Sequence, residues 1–422
     1  MSPAARHDSR CRLLRRLFET AVAAAQPDAC LPSLLPDRPK GRLIVLAAGK
    51  AAAAMAATAE ARYGGDVEGL ALTRYGHGVP CRRVEVIEAA HPVPDAAGVA
   101  GARRMLELAA SAKRDDLVLV LISGGASALL ALPAGPVTLD MQRAVTTALL
   151  RSGADIAAMN CVRKHLSAIT GGRLAAAAAP AKVVTLAISD VAGNDPATIG
   201  SGPTVPDPTT RAEAREILER HAIALPDEVA AWLDDPASES PKPGDSAFEA
   251  SEFAIAASGR TALDAAADVA IRAGWGVVDL GARVTGEARQ VAAAHARLAR
   301  TQLATGTPHA ILSGGETTVT VSGTGRGGRN AEYLLALALE LDGMAGVWSL
   351  AGDTDGIDGT EDNAGAVITP DTLARARKAG LDAAATLEAH DSYSLFAALD
   401  DLVVTGPTHT NVNDFRVMLA AT

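Results

Sequence analysis

The sequence predicts an α/β protein of two domains, with a mainly parallel sheet expected in the first, and three observations carry that expectation. Short apolar runs that suit buried strands alternate with longer segments of helical period, the pattern of βαβ units. The 422 residues exceed what one hydrophobic core commonly supports. A polar stretch rich in proline and serine, DDPASESPKPGDSA at 234–247, reads as a linker between the halves. The expected domains are therefore 1–238 and 239–422.

The elements follow in order. Leu13, Leu14, Leu17, Phe18 and Val22 mark an amphipathic first helix. Prolines at 32, 36 and 39 then make a loop. Residues 43–46 form a buried-strand run that turns through Ala47-Ala48-Gly49-Lys50 into an alanine-rich helix reaching about residue 61. Strands are expected at 69–73 and 84–89, and a helix from about 96 to 112 after the rigid HPVPD turn. Residues 117–122 are an uninterrupted apolar strand ending in Ser123-Gly124-Gly125-Ala126-Ser127. Helices at 139–152 and 155–167 lead to a strand at 183–188, which runs into a long polar turn, 189–210. In the second half, strands are expected at 253–257, 277–280, 310–312, 317–321, 347–350 and 402–404, with a helix from 259 to 273.

Composition narrows the function classes. Hydrophobic residues make up 48% but aromatics only 3%, so the core must consist of Ala, Val, Leu and Ile. A net charge of −10 argues against nucleic acid or an anionic membrane as the main partner and makes any local cluster of Lys and Arg informative. Cys11, Cys30, Cys81 and Cys161 lie far apart, with no zinc spacing, which suits a reducing cytoplasm. The basic start of the chain has no apolar segment behind it, and no apolar run approaches the ~18 residues of a membrane span.

The stretch 309–339 concentrates candidate chemistry. It turns through Ser313-Gly314-Gly315, passes Glu316, and reaches a loop holding Gly323, Gly325, Arg326, Gly327, Gly328 and Arg329. Asn330 is placed to cap a helix from Ala331. A glycine loop before a helix start, with two arginines, suits a phosphate or carboxylate. Gly323, Gly325 and Gly328 also match the spacing of a dinucleotide fingerprint, but Glu340, near the expected acidic position, ends a helix. An NAD(P)H-dependent dehydrogenase is therefore the second reading.

Elsewhere, Lys50, Ser123 and Asp190 fall at carboxyl ends of expected strands, where sites in such sheets lie. Lys50 is not part of a Walker A loop, since Ile44 stands where glycine is required and Ala51 replaces Ser/Thr. Asp190 and Asp195, and Asp353, Asp355 and Asp358, are carboxylate clusters that read equally as local turn chemistry or as magnesium ligands supplementing substrate phosphates. The GDTDGIDGTEDN run fails the EF-hand pattern, because Gly356 is at its fourth position and Ala364 stands at its end. No G-x-S-x-G elbow and no protein-kinase signature are present.

Nine ordered segments then carry a resemblance: AAGKAA (47–52), HPVPDAAG (91–98), LISGGASALL (121–130), MNCVRKHLSAITGGRLA (159–175), ISDVAGNDPATIGSGPT (188–204), SGGET (313–317), GGRNAEYLLALAL (327–339), GDTDGIDG (352–359) and TGPTHTNVND (405–414). In these the chain resembles the class II glycerate kinases, the glycerate 2-kinase family that carries the MOFRL domain. The resemblance implies an N-terminal Rossmann-like α/β/α sandwich, a C-terminal α/β MOFRL-type domain and an active site in the interdomain cleft. It implies ATP- and Mg2+-dependent phosphorylation of D-glycerate to 2-phosphoglycerate by a cytoplasmic monomer or homodimer, with Lys50 and Arg329 as the essential basic pair. Members have also been labelled hydroxypyruvate reductases. The residues expected to bind substrate or nucleotide are Ser123, Gly124, Gly125, Ser127, Ser313, Gly314, Gly315, Glu316, Gly325, Arg326, Gly328, Asn330 and Asn411, with Asp190 and Asp353 as candidate metal ligands.

Overall fold

The computed structural model describes residues 3–422, with side chains from residue 8 onward. The chain forms two compact units, one of residues 27–256 and one joining the residues up to 26 with 257–422.

The first unit holds a six-stranded sheet: β1 (Leu43–Ala48), β2 (Glu68–Arg74), β3 (Glu85–Ala89), β4 (Leu117–Ile122), β5 (Lys182–Ser189) and β6 (Ser251–Ser258). Their order is β3-β2-β1-β4-β5-β6. The pairs β1–β2, β2–β3, β1–β4 and β4–β5 are parallel. This is the Rossmann strand order, and its direction of winding reverses between β1 and β4. Both of those strands are buried at every residue, which is why LIVLAA and LVLVLI are apolar without alternation. The helix Ala52–Tyr63 buries Ala52, Ala53, Met55, Ala56 and Ala59, small side chains that let it lie close to the sheet. Asp95, Thr138 and Asp155 cap the starts of Ala96–Ala110, Leu139–Arg151 and Ile156–His165 by accepting backbone N–H groups.

Residues 234–247 are not a free linker. Ser238 and Ser240 are buried, the Ser240 hydroxyl donates to Asp207 (3.0 Å), and Glu239 pairs with His165 (3.2 Å). The prolines and serines that made this stretch resemble a linker have their polar groups satisfied inside the first unit. The division between units therefore falls along β6, not at 238/239.

The second unit's main sheet comprises β7 (Gly276–Asp279), β9 (His309–Gly315), β11 (Val347–Asp353), β12 (Gly365–Ile368), β13 (Leu402–Val403) and β14 (Asp414–Ala420), in the order β13-β12-β11-β14-β9-β7. A separate parallel pair joins β8 (Gly286–Glu287) to β10 (Thr317–Thr318). Unlike the first sheet, this one is mixed. Only β7–β9 is parallel, while β14 runs antiparallel between β9 and β11, and β12 and β13 also pair antiparallel. No crossover helix separates β11 from β12, so a parallel return has no room to form.

The helix Pro3–Ala24 packs in this second unit. Leu14, Leu17 and Phe18 are buried, Phe18 lies 6.2 Å from the Phe415 ring, and the Thr410 hydroxyl donates to the carbonyl of Ala25 (2.6 Å). Among the described residues, no helix is long and apolar enough to cross a membrane.

Candidate active site

In the first unit the loops after β1 and β4 meet at the point where the strand order reverses. Gly49 has φ +128°, and a Cβ there would collide with the Ser123 hydroxyl, so only glycine lets the two loops approach. The Lys50 N–H donates to the Gly124 carbonyl (2.8 Å), and the Ala51 N–H donates to Ser123 Oγ (3.0 Å). Ser123 is thus buried and supports the start of the Ala52 helix, so it is a prop for the loop rather than a donor open to ligand. Gly125 has φ +84°, and a Cβ there would sit 2.9 Å from His91 Nε2 and 3.5 Å from Lys50 Cγ. Lys50 and His91 therefore flank Gly125. Ser127 Oγ and Ser201 Oγ lie 2.9 Å apart. Asp190 directly follows β5, the neighbour of β4, so Lys50, Ser123 and Asp190 succeed three adjacent strands as expected. Asp195 is exposed and its carboxylate accepts from Thr198 Oγ1 (2.6 Å) and the Ala197 N–H (3.2 Å), the local turn chemistry.

A cavity of about 440 Å³ opens beside Gly125, lined by His91, Ser127, Arg143, Arg163 and Ser201 among others. Arg163 was absent from the residues singled out in the sequence. It stands in the basic run Arg163-Lys164-His165, whose members point in different directions because successive helical residues are rotated by about 100°. Lys164 pairs with buried Asp207 (3.3 Å), and His165 bonds to Glu239 and to the Cys161 carbonyl (2.8 Å). Nothing in sequence marks Arg163 as the one that faces a cavity.

The second unit holds a buried ionic network around Arg329. The Arg329 guanidinium contacts Asp414 (2.9 Å), Asp353 (2.7 Å) and Glu316 (3.1 Å). Burial works against its charge, but Asp414, Asp353 and Glu316 outweigh that and hold it protonated. Arg416, fully buried, adds a second cation against Asp414 (2.5 Å). Three carboxylates thus face two guanidiniums. Neither Asp414 nor Arg416 was among the expected site residues, because two charges in an otherwise apolar stretch hide the strand that holds them.

Several expectations for this half are corrected. Ser313, Gly314 and Gly315 are not a cradle loop: they lie inside β9, paired with Arg416, Phe415 and Asp414 of β14. Residues 317–321 hold only the two-residue β10. The 329–341 helix starts at Arg329 with Gly328 as its cap position, and Asn330 lies in the first turn. The side chain of Asp358 supplies the cap by accepting from the N–H groups of Asn330 (3.0 Å) and Ala331 (2.8 Å). Those donors are therefore already taken. Burial pushes the Asp358 carboxyl up to about 6, with the two N–H groups pulling the other way. Asn330 Nδ2 donates to Asp414 (2.8 Å) and Asp358 (3.3 Å).

Gly325 packs against residues 389–391 and its N–H donates to the Ala389 carbonyl (3.1 Å), while a Cβ on Gly328 would collide with Asp358. These glycines serve close packing within the unit. Arg326 is exposed, pairs with Glu361 and stacks 4.4 Å from the Tyr393 ring. Asn411 is buried and accepts from the Asn413 N–H (3.1 Å).

Among the described residues, no three His, Cys, Asp or Glu side chains assemble as a metal cage. Asp353 already faces Arg329. The donors fit a magnesium ion only in the mode where one or two carboxylates supplement substrate phosphate oxygens.

Residues 13–234 match a domain family described as of unknown function, DUF4147, and residues 309–414 match the MOFRL family. A protein of Agrobacterium vitis provisionally named hydroxypyruvate reductase is 51% identical over 98% of this chain and 97% of its own length. The D-glycerate 2-kinase of Thermotoga maritima is 36% identical over 97% of this chain and 98% of its own. A crystal structure of glycerate kinase from Thermotoga maritima superposes with a TM-score of 0.90, covering 98% of this chain and 100% of that one. With near full-length similarity in both sequence and fold, the chain belongs to the MOFRL-containing glycerate kinase family.

Proposed function

We propose that this protein transfers the γ-phosphoryl group of ATP to the 2-hydroxyl of D-glycerate, giving 2-phosphoglycerate and ADP, with magnesium entering on the nucleotide phosphates. The observation that carries this is Lys50 at the β1–β4 reversal of a Rossmann-ordered sheet, beside the tight Gly125 turn. Sheets of this kind bind their ligands at that point. The loop there reads AAGKAA, without the three-glycine turn that a dinucleotide pyrophosphate needs. The glycine spacing that matched such a fingerprint lies in the other unit, against Ala389, Asp391 and Asp358. This favours a kinase over a reductase.

In the reaction the hydroxyl oxygen forms a bond to the γ-phosphorus, the bond to the β,γ-bridging oxygen breaks, and the hydroxyl proton is lost. Charge builds on phosphoryl oxygens, so cations fixed in place contribute most. We assign Lys50 and Arg329 as that basic pair. Asp190 and Asp353 are the proposed magnesium ligands; the ion would neutralise phosphate charge, which matters next to a network where carboxylates outnumber guanidiniums. The test is incubation with ATP, Mg2+ and D-glycerate, with NMR identification of the product, beside an NADH assay with hydroxypyruvate. Formation of 2-phosphoglycerate supports the assignment. NADH turnover without ATP-dependent product would replace it with the reductase, the name borne by the 51% identical relative.

A further inference from the structure

We propose that the cavity beside Gly125 is the acceptor pocket of the first unit, where Arg163 pairs with the carboxylate of a small hydroxy acid. This rests on the kinase reading and adds to it the residue that would recognise the acid end of the substrate. In a protein of net charge −10, the cavity wall contains no aspartate or glutamate, yet it contains two arginines. Arg143 is engaged with Asp140 (3.0 Å) and the Pro94 carbonyl. Arg163 makes no hydrogen bond or ion pair to any described residue. Half-buried, its guanidinium loses hydration without gaining a counter-charge, and burial lowers its affinity for the proton. Its helix neighbours Lys164 and His165 both have acidic partners, which makes the omission specific to the cavity-facing member of the run.

The chemistry of the wall favours an organic carboxylate over a nucleotide triphosphate. One uncompensated guanidinium balances one carboxylate and presents a planar fork that matches it bidentately. A triphosphate carries several charges and would find only this one unmatched cation here. Ser127, Ser167 and Ser201 supply hydroxyls suited to the alcohol groups of a polyol acid, while Leu130 and Met159 keep the surroundings apolar. A volume of about 440 Å³ lies in the range of small-molecule sites. Gly125 joins the pocket to the chemistry: it lines the cavity, and the Lys50 side chain packs against it. An acid held by Arg163 would thus be bound next to the lysine proposed to act on the transferred phosphoryl.

The experiment is calorimetric titration of the full chain, wild type, Arg163→Gln and Arg163→Lys, with D-glycerate and with its neutral amide, D-glyceramide, and no nucleotide present. Steady-state KM values for ATP are measured alongside. Arg163→Gln should weaken D-glycerate by roughly ten- to a hundredfold, leave D-glyceramide unchanged and shift the KM for ATP less than twofold. Arg163→Lys should recover part of the loss. Unchanged D-glycerate affinity in Arg163→Gln, or a rise confined to the KM for ATP, would overturn the pocket. So would a wild type that binds D-glycerate no better than the amide.

The two proposals separate cleanly in this design. Wild type that binds D-glycerate through Arg163 without phosphorylating it refutes the kinase and retains the pocket. Turnover with unchanged affinity in Arg163→Gln does the reverse. If Arg163→Gln does not fold, Leu150→Asp carries the test, because Leu150 lines the cavity yet is 61% exposed. A carboxylate added there should weaken D-glycerate and spare the amide, and an equal effect on both would count against the pocket.

Discussion

Truncating Arg329 to alanine removes a cation shared by two buried carboxylates, of which Asp414 keeps Arg416 beside it. The Asp414 and Asp353 side chains are 0% and 6% exposed, and each lies within 3 Å of the guanidinium. Glu316, 55% exposed, contributes little by comparison. Removing one member of a buried pair typically costs about 3–5 kcal/mol, because the other charge stays buried and unmatched. For a unit of this size, about 2–4 °C of melting temperature accompanies each kcal/mol. Arg329→Ala should therefore lower the second unit's transition by roughly 6–20 °C. The assay is differential scanning calorimetry of the full chain, with Arg329→Ala/Asp353→Asn as the companion variant. Neutralising Asp353 lowers the carboxylate charge left beside the missing guanidinium and leaves the Asp414–Arg416 pair intact, so the double variant should melt above the single one. A single variant within about 1 kcal/mol of wild type, or a double variant that melts lower still, would refute the claim that these charges depend on one another. Rates for Arg329→Ala must therefore be measured on the folded fraction, and Arg329→Lys should not restore them, since an ammonium cannot span the carboxylates that the guanidinium fork spans.

Lys50→Ala should keep its melting temperature, because the backbone bond to Gly124 survives, while turnover falls roughly a hundredfold to a thousandfold; kinetics with circular dichroism on the same sample decide it. Gly49→Ala combines a positive φ with a collision at Ser123, so urea titration should show a loss on the order of 1–3 kcal/mol and turnover should fall with it. Asp358 carries a folded-state pKa near 6 against 3.8 in the unfolded chain, because burial disfavours its charge. Its contribution to stability is fully present below about 3.8 and is lost as pH rises through about 6, a change on the order of 3 kcal/mol. Asp358→Asn should flatten that part of the pH–stability curve, and an unchanged slope between pH 4 and 6 would show that Asp358 is not its source.

The first sheet was legible because strands covered on both faces read as unbroken apolar runs, and β1, β4 and β5 are of that kind. Their carboxyl ends place Lys50, Ser123 and Asp190 after three adjacent strands. In the second sheet the strands at 277–280, 310–312, 347–350 and 402–404 were legible, but β12 and β14 were not, and for β14 the reason is local. The strand Asp414–Ala420 points both Asp414 and Arg416 inward, two residues apart on one face, where each cancels the other's cost. A pattern read for hydrophobicity sees two charges and no strand. The glycine loop misled in another way. Glycine serves close packing and ligand approach equally, and only the partners of Gly325 and Gly328 distinguish the two. Arg163 was illegible because the three consecutive basic residues differ only in what lies opposite them.

The seat of the Pro3–Ala24 helix has a consequence for how the protein is made. Its apolar stripe rests in a unit whose central strand, Asp414–Ala420, follows it by nearly the whole chain. At about 5–20 residues per second, a ribosome separates the helix from that strand by roughly 20–80 s. The 27–256 unit can fold in the meantime, while Phe18 waits without the Phe415 ring it packs against. A nascent chain stalled before β14 never acquires the Phe415 face that receives Phe18. It therefore leaves the Phe18 end of that stripe uncovered, a mark by which holdases and proteases can tell an unfinished polypeptide from a finished one.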